Sequence, residues 1–249
     1  MLAGFLHTEN LAEVIHGLSE AHLVPLSPEE PGIKLTSGAA QAFRELQELA
    51  RQDGLNLRVA SGFRSFERQF RIFSGKMDGS RPVLDRNERP LDTRDMDPEE
   101  LIRAILVFSA VPGLSRHHFG TDIDVYDPDL VPEGGSLELT NLEYREGPQA
   151  PVSHWLEEHM KECAFFRPYL EDTPWSAGEL WHISYAPDAD VLTAALSPEE
   201  SLAFIRGSAL PGKEILAKII AAEFTERFRL FSPGASRNFQ VNTSNGSSQ

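Results

Sequence analysis

Three short stretches in which apolar and polar residues alternate, at 55–60, 121–126 and 181–185, most constrain how this chain can fold. Alternation at period two sends successive side chains to opposite faces, so each stretch reads as a strand with one buried face. Helical periodicity fills much of the sequence between them. The expected fold class is therefore α+β: a small, mostly antiparallel sheet with helices packed on one side. In the stretch 121–126, Ile123 and Val125 take the core face, which leaves Asp122, Asp124 and Tyr126 together on the other, open, face.

From Thr8 the apolar residues Leu11, Val14, Ile15 and Leu18 recur at helical spacing, before a turn-rich loop at 26–32. Ser37 is the predicted N-cap of a helix that presents Phe43, Leu46 and Leu49 and stops near Gly54. A helix is also predicted over 66–73, and the polar, proline-containing 78–95 predicts a long loop. Asp97-Pro98-Glu99-Glu100 combines an N-cap, a first-turn proline and two carboxylates at the positive helix end, so 98–109 is predicted helical. Residues 153–164 follow suit, with Trp155, Leu156, Met160 and Cys163 on the apolar side. Pro198 and Gly212 open two further helical runs, the second carrying Ile215, Leu216, Ile219, Ile220 and Phe224. The expected organisation is an N-terminal helical segment at 1–54 packed on a core at 55–190, a C-terminal helical extension at 191–237, and a disordered Ser/Asn/Gln-rich tail at 238–249. The C-terminal helices read either as a packed appendage or as a surface for an oligomer.

The formal charge of −15 argues against a sequence-independent grip on nucleic acid or an anionic membrane, since both depend on clustered Lys and Arg. Cys163 is the single cysteine, which excludes an intramolecular disulfide and reads as a small core residue. No run of 18 apolar residues marks a membrane span, and the first 21 residues lack a basic region followed by an apolar one. The expected location is the cytoplasm, or the periplasm if a leader is missing from this sequence.

Two segments gather metal-ligand residue types: Ser115-Arg116-His117-His118-Phe119-Gly120-Thr121-Asp122-Ile123-Asp124 and Glu179-Leu180-Trp181-His182. In the first, a histidine precedes a strand, Gly120 permits a tight turn, and Asp124 can point back to the His117 imidazole. In the second, His182 begins a strand with Glu179 in the preceding loop. Two imidazoles and one carboxylate leave a coordination position open, the pattern of a catalytic rather than a structural zinc site. Zinc lowers the pKa of a bound water from about 15.7 to roughly 7. A nearby carboxylate must then take the proton, a role Glu179 fits, and Arg64 in Ser61-Gly62-Phe63-Arg64-Ser65 supplies positive charge for a developing oxyanion. Taken singly, His117 or His182 reads as an ordinary hydrogen-bonded histidine and Arg64 as a surface or capping residue; the joint spacing is what points to chemistry. His118 diverges from His117 and reads as a non-ligand, His154 and His159 as solvent-exposed, and Trp181 as either core or substrate wall.

These motifs resemble those of the D-alanyl-D-alanine carboxypeptidases and dipeptidases, zinc enzymes that share a fold with the hedgehog signalling domain. The family pattern Ser-x-His-x-x-Gly-x-x-x-Asp is matched by Ser115, His117, Gly120 and Asp124, and Glu-x-Trp-His by Glu179, Trp181 and His182. Ser-Gly-Tyr-Arg-Ser is matched by residues 61–65, with Phe63 in place of Tyr. The resemblance covers roughly 55–187. It implies one Zn2+ per chain held by His117, Asp124 and His182, with Glu179 as general base and acid and Arg64 stabilising the transition state. It also implies that Ser115 holds the substrate carboxylate and that Gln69 lies near the substrate, a peptidoglycan-type peptide. This sequence departs from the family at Asp122, where a small residue is usual, at Leu180 in place of a common Pro, and at Tyr185-Ala186-Pro187 after the last histidine. Asp122 is expected to add a carboxylate near the metal. The leading expectation is a carboxypeptidase or dipeptidase releasing a C-terminal residue. An endopeptidase and a non-catalytic zinc-binding module of the same fold are the alternatives.

Overall fold

The computed structural model of the chain describes residues 11–229, so the start of the helix predicted from Thr8 and the tail at 238–249 lie outside the described residues. Helix α1 (Leu11–Ile15) leads into a hairpin of β1 (Leu23–Pro25) and β2 (Lys34–Thr36), followed by α2 (Ser37–Gln52) and β3 (Arg58–Ser61). Next come α3 (Phe66–Met77), α4 (Pro98–Ile105), a 3-10 turn at Arg116–Phe119 and β4 (Asp122–Tyr126). Helices α5 (Asn141–Arg145) and α6 (Ala150–His159) precede β5 (Phe165–Phe166) and β6 (His182–Tyr185). Helices α7 (Ala186–Ala194), α8 (Pro198–Gly207) and α9 (Lys213–Arg229) follow.

The fold is α+β. Its main sheet has the order β3-β4-β6-β5, with every neighbouring pair antiparallel. Val59 pairs with Val125 and Ile123 with Ile183, so these apolar side chains share one face and join α2 and α6 in the largest core cluster. Each fully buried aliphatic side chain there, such as Ile123 or Ile183, contributes about 1.5–3 kcal/mol. The same register aligns Ser61 with Asp124 and Asp124 with His182 on the opposite face. Directly opposed residues in an antiparallel pair stand only about 4.5–5.5 Å apart, so the pairing alone brings a carboxylate and an imidazole together.

That second face is not open, as the alternation alone implied: Asp122 and Asp124 are both buried. Residues 106–111 and the loop residues Tyr169, Thr173, Trp175 and Ser176, with Ile220 and Arg227 of α9, wall it in and leave a cleft. A second core cluster, built from α3, α4, α8 and α9, supports this cover through Phe73, Ile102, Ile105, Ile205 and Leu216.

Several element boundaries differ from the sequence expectation for traceable reasons. The strand predicted from Leu55 begins at Arg58, because side chains take the backbone polar groups before it. Asn56 N–H donates to Asp127 at 2.8 Å and the Leu57 carbonyl accepts from Gln47 at 2.9 Å. Thr36, not Ser37, caps α2, its hydroxyl accepting from Ala39 N–H while donating to Asp188. Helix α4 has the expected Asp97/Glu100 capping box but ends at Ile105. The Val107 carbonyl beyond it is engaged by Ala177 N–H at 2.9 Å, which draws the chain toward the cleft. Helix α6 starts at Ala150 and tightens to 3-10 geometry at Met160. The β1–β2 hairpin had no clear signature, since three-residue strands are too short to show a period.

Candidate metal centre

His117 rides on the 3-10 turn, which Gly120 ends in the left-handed region at φ 70°. A Cβ at Gly120 would run into the Leu23 side chain, so glycine meets both a conformational and a steric demand there. The turn is tied down on either side: Thr36 N–H donates to the Gly120 carbonyl and Arg64 N–H to that of His117. His118 pins the same region. Its Nδ1–H donates to the Arg64 carbonyl at 2.5 Å and its Nε2 accepts from Gly113 N–H at 3.0 Å, and burial pulls its pKa down to about 3. It is a structural histidine, as its divergence from His117 suggested.

The two remaining imidazoles are oriented by what lies behind them. His117 Nδ1 is 2.9 Å from the Gly62 carbonyl oxygen, which can only accept, so the proton resides on Nδ1 and the Nε2 lone pair faces inward. His182 Nε2 is 2.8 Å from Asp122 Oδ1, which leaves its Nδ1 facing the same point from the other side. Between them stands Asp124, with Oδ2 3.5 Å from His117 Nε2 and Oδ1 3.2 Å from His182 Nδ1. One donor atom from each residue lies within 4.8 Å of the others. Asp124 Oδ1 and His182 Nδ1 are buried, and no hydrogen bond among the described residues satisfies either. Buried polar atoms of this kind carry a cost unless something fills the space between them. Two imidazole nitrogens and a carboxylate oxygen are the donor set of a catalytic zinc site, so these residues fit that ion.

The electrostatics are those of a concentrated anionic point. Burial opposes charge on Asp124, but His117 and His182 outweigh it and hold the carboxyl well below its usual range. Burial also opposes a proton on His182, yet the carboxylates of Asp122, Asp124 and Glu179 hold its pKa well above the ordinary imidazole value. His117 moves the other way, lowered by burial and by the Arg64 guanidinium. A cation at this point would take the place of the His182 proton.

Glu179 sits in the loop before β6, with Oε2 3.3 Å from His182 Nδ1 and its backbone N–H donating to Tyr169. Arg64 reaches in from the exit of β3. Its guanidinium is 3.8 Å from Asp124 and donates to Gln69 Oε1 and Ser61 Oγ. Both residues, with Ser115 and Trp181, line a cleft of about 270 Å³. Trp181 is also core, packed on Tyr144 with centroids 5.8 Å apart. Gln69, expected near the substrate, is fully buried behind Arg64, its amide spanning Arg64 and the Ala110 carbonyl. Asp122, expected to add a carboxylate near the metal, lies next to the proposed centre but on the far side of the His182 ring, bonded to its Nε2. His154 is exposed as expected, whereas His159 is half-buried, stacked on Trp155 and bonded to Glu162. Sequence reasoning missed Tyr169, whose ring meets His182 edge-on at 5.0 Å, and Arg227, which enters the cleft wall from α9. Neither belongs to a local motif, so only the folded chain reveals them.

Residues 32–188 match the family model of VanY, the D-alanyl-D-alanine carboxypeptidase. The chain belongs to the VanY family. The match contains every cleft-lining residue except Ile220 and Arg227 of α9. An uncharacterized protein of Haemophilus influenzae is 34% identical over 119 residues, covering 47% of this chain and 91% of its own. A second from that organism is 40% identical over 100 residues, covering 40% and 68%. Among solved structures, VanYB in complex with D-Alanine-D-Alanine is 22% identical, with a TM-score of 0.49 over 73% of this chain and 87% of its own. The LdcB LD-carboxypeptidase is likewise 22% identical, with a TM-score of 0.48 over 74% and 78%.

Proposed function

We propose that this member of the VanY family is a zinc-dependent carboxypeptidase that hydrolyses the C-terminal peptide bond of peptidoglycan-derived peptides ending in D-alanine. The observation that carries the reading is the convergence of two imidazole nitrogens and one carboxylate on a single buried point, with Glu179 and Arg64 at its edge in a cleft. In it, His117 Nε2, His182 Nδ1 and Asp124 hold one zinc ion. Zinc bound there would supply Lewis acidity toward the scissile carbonyl and would lower the pKa of water.

This chain's own residues do the rest. Glu179, anchored through its backbone to Tyr169, accepts the proton of the attacking water and passes it to the leaving amine. Arg64, held in the cleft wall by Gln69 and Ser61, keeps a fixed positive charge against the carbonyl oxygen as negative charge grows there. Because its position is preset by Gln69 and Ser61, little reorganisation is needed as the transition state forms. Ser115, buried beside His117, offers a hydroxyl to the terminal carboxylate. Trp181 and Tyr169 form the apolar wall.

Incubation of the zinc-loaded protein with defined muropeptides, followed by mass spectrometry, tests the reading. Loss of one C-terminal residue is expected. Cleavage inside the peptide would make the protein an endopeptidase, and intact peptides at full zinc occupancy would make it a non-catalytic zinc module.

A further inference from the structure

Asp122 stands two residues before Asp124 on the same face of β4, in the row that the sheet register extends to Ser184 on β6. The carboxylate is completely buried, and both of its oxygens are engaged. Oδ1 accepts from Arg116 Nε at 2.7 Å and lies 2.8 Å from His182 Nε2, while Oδ2 accepts from Thr121 Oγ1 at 2.6 Å and Ser184 Oγ at 3.0 Å. Arg116 is buried too, donating its other arm to Ser184 Oγ at 2.7 Å and lying over the Phe166 ring. Burying a carboxylate and a guanidinium is costly, and an apolar pair of similar volume would fill the same space at least as stably. The network is therefore best accounted for by what it does to its neighbour, His182.

We propose, on the basis of the zinc reading above, that Asp122 and Arg116 are positioning residues of the metal centre. Asp122 holds His182 as the Nε2–H tautomer with its Nδ1 lone pair turned toward Asp124 and His117, and Arg116 balances the added charge. Arg116 directly precedes His117 on the 3-10 turn. The Arg116–Asp122–His182 chain thus braces the turn that carries one histidine against the strand that carries the other, so the site is assembled before the metal arrives. A neutral imidazole can offer only one nitrogen as a donor, and the partner of the other nitrogen decides which.

The test uses the full chain stripped of metal and titrated with zinc against a chromogenic chelator. Long-range 1H–15N spectra of the histidine rings run in parallel. In the parent, His182 is expected as the Nε2–H tautomer with Nδ1 on the metal; a Nδ1–H tautomer in the zinc-loaded parent would overturn the proposal whatever any variant does. Removing Asp122 alone strands a buried guanidinium, so the informative variant combines Asp122→Ala with Arg116→Met. It is expected to bind zinc about 10–100-fold more weakly and to lose the single His182 tautomer. Zinc affinity within twofold of the parent, with the tautomer unchanged, would reduce the network to a packing role. If the parent itself takes up no zinc, the metal reading fails, and that result is distinct from failure of the positioning role.

Discussion

Glu179 and His182 share one turn, with His182 N–H donating to the Glu179 carbonyl, so the proposed base and a proposed ligand are placed by the same few residues. Their substitutions should nevertheless separate. His117→Ala is expected to abolish stoichiometric zinc uptake in metal analysis. Glu179→Ala should keep the zinc and lower kcat/KM on muropeptides by about 10²–10⁴-fold, the usual weight of a general base; unchanged turnover would remove Glu179 from the mechanism. Two histidines away from the centre tie stability to pH. His16 stacks on Phe204 and bonds to the Gly113 carbonyl, His22 bonds to the Phe119 carbonyl, and burial lowers the pKa of both. Their unfolded value is about 6.5, so below that pH the unfolded chain binds protons that the folded chain resists. The stability attached to them is complete above pH 6.5 and is lost as pH falls, by up to about 1.4 kcal/mol per pH unit for each. Denaturant titrations at pH 7 and pH 5 should therefore show a smaller loss for His16→Phe than for the parent, and an equal loss would refute the linkage.

The 3-10 turn and α4 make a contrasting pair of elements. Gly120→Ala places a Cβ at positive φ and against Leu23, and is expected to cost at least about 1–2 kcal/mol in chemical unfolding. Because the turn carries His117, zinc affinity should fall with it. Asp97→Ala removes the α4 capping box at an exposed end that does not line the cleft and should cost about 1 kcal/mol with zinc affinity unchanged. If both variants lost zinc equally, the turn would have no special hold on the site.

At the scale of the whole molecule, α9 decides whether the C-terminal helices are an appendage. Leu216, Ile219, Ile220 and Phe224 are buried against α4 and its neighbours, and Ile220 and Arg227 also line the cleft. Losing four such side chains removes roughly 6–12 kcal/mol of burial, comparable with the roughly 5–15 kcal/mol that holds a typical domain together. A chain ending at residue 209 is expected to lose its cooperative melting transition. Parental melting in a truncated chain would make α9 dispensable.

Much of this protein is legible from local pattern. Alternation marked the paired stretches of the sheet, and the spacing of ligand-type residues marked His117, Asp124 and His182, which the fold brings together, because both follow from the geometry of a few consecutive residues. Gly120 was legible for the same reason. The far side of the sheet was not: whether Asp122 and Asp124 meet solvent depends on loops and a helix up to about a hundred residues away. Asp122 shows the division most clearly. Its place on the same strand face as Asp124 follows from period two, but the side of the His182 ring it occupies follows from β4–β6 register and from Arg116. Residue types and their spacing were enough to single out the histidines and carboxylates of the proposed metal centre, whereas which of their atoms face inward was settled only by the folded chain, because hydrogen-bond partners across strands and turns set the orientation of each imidazole.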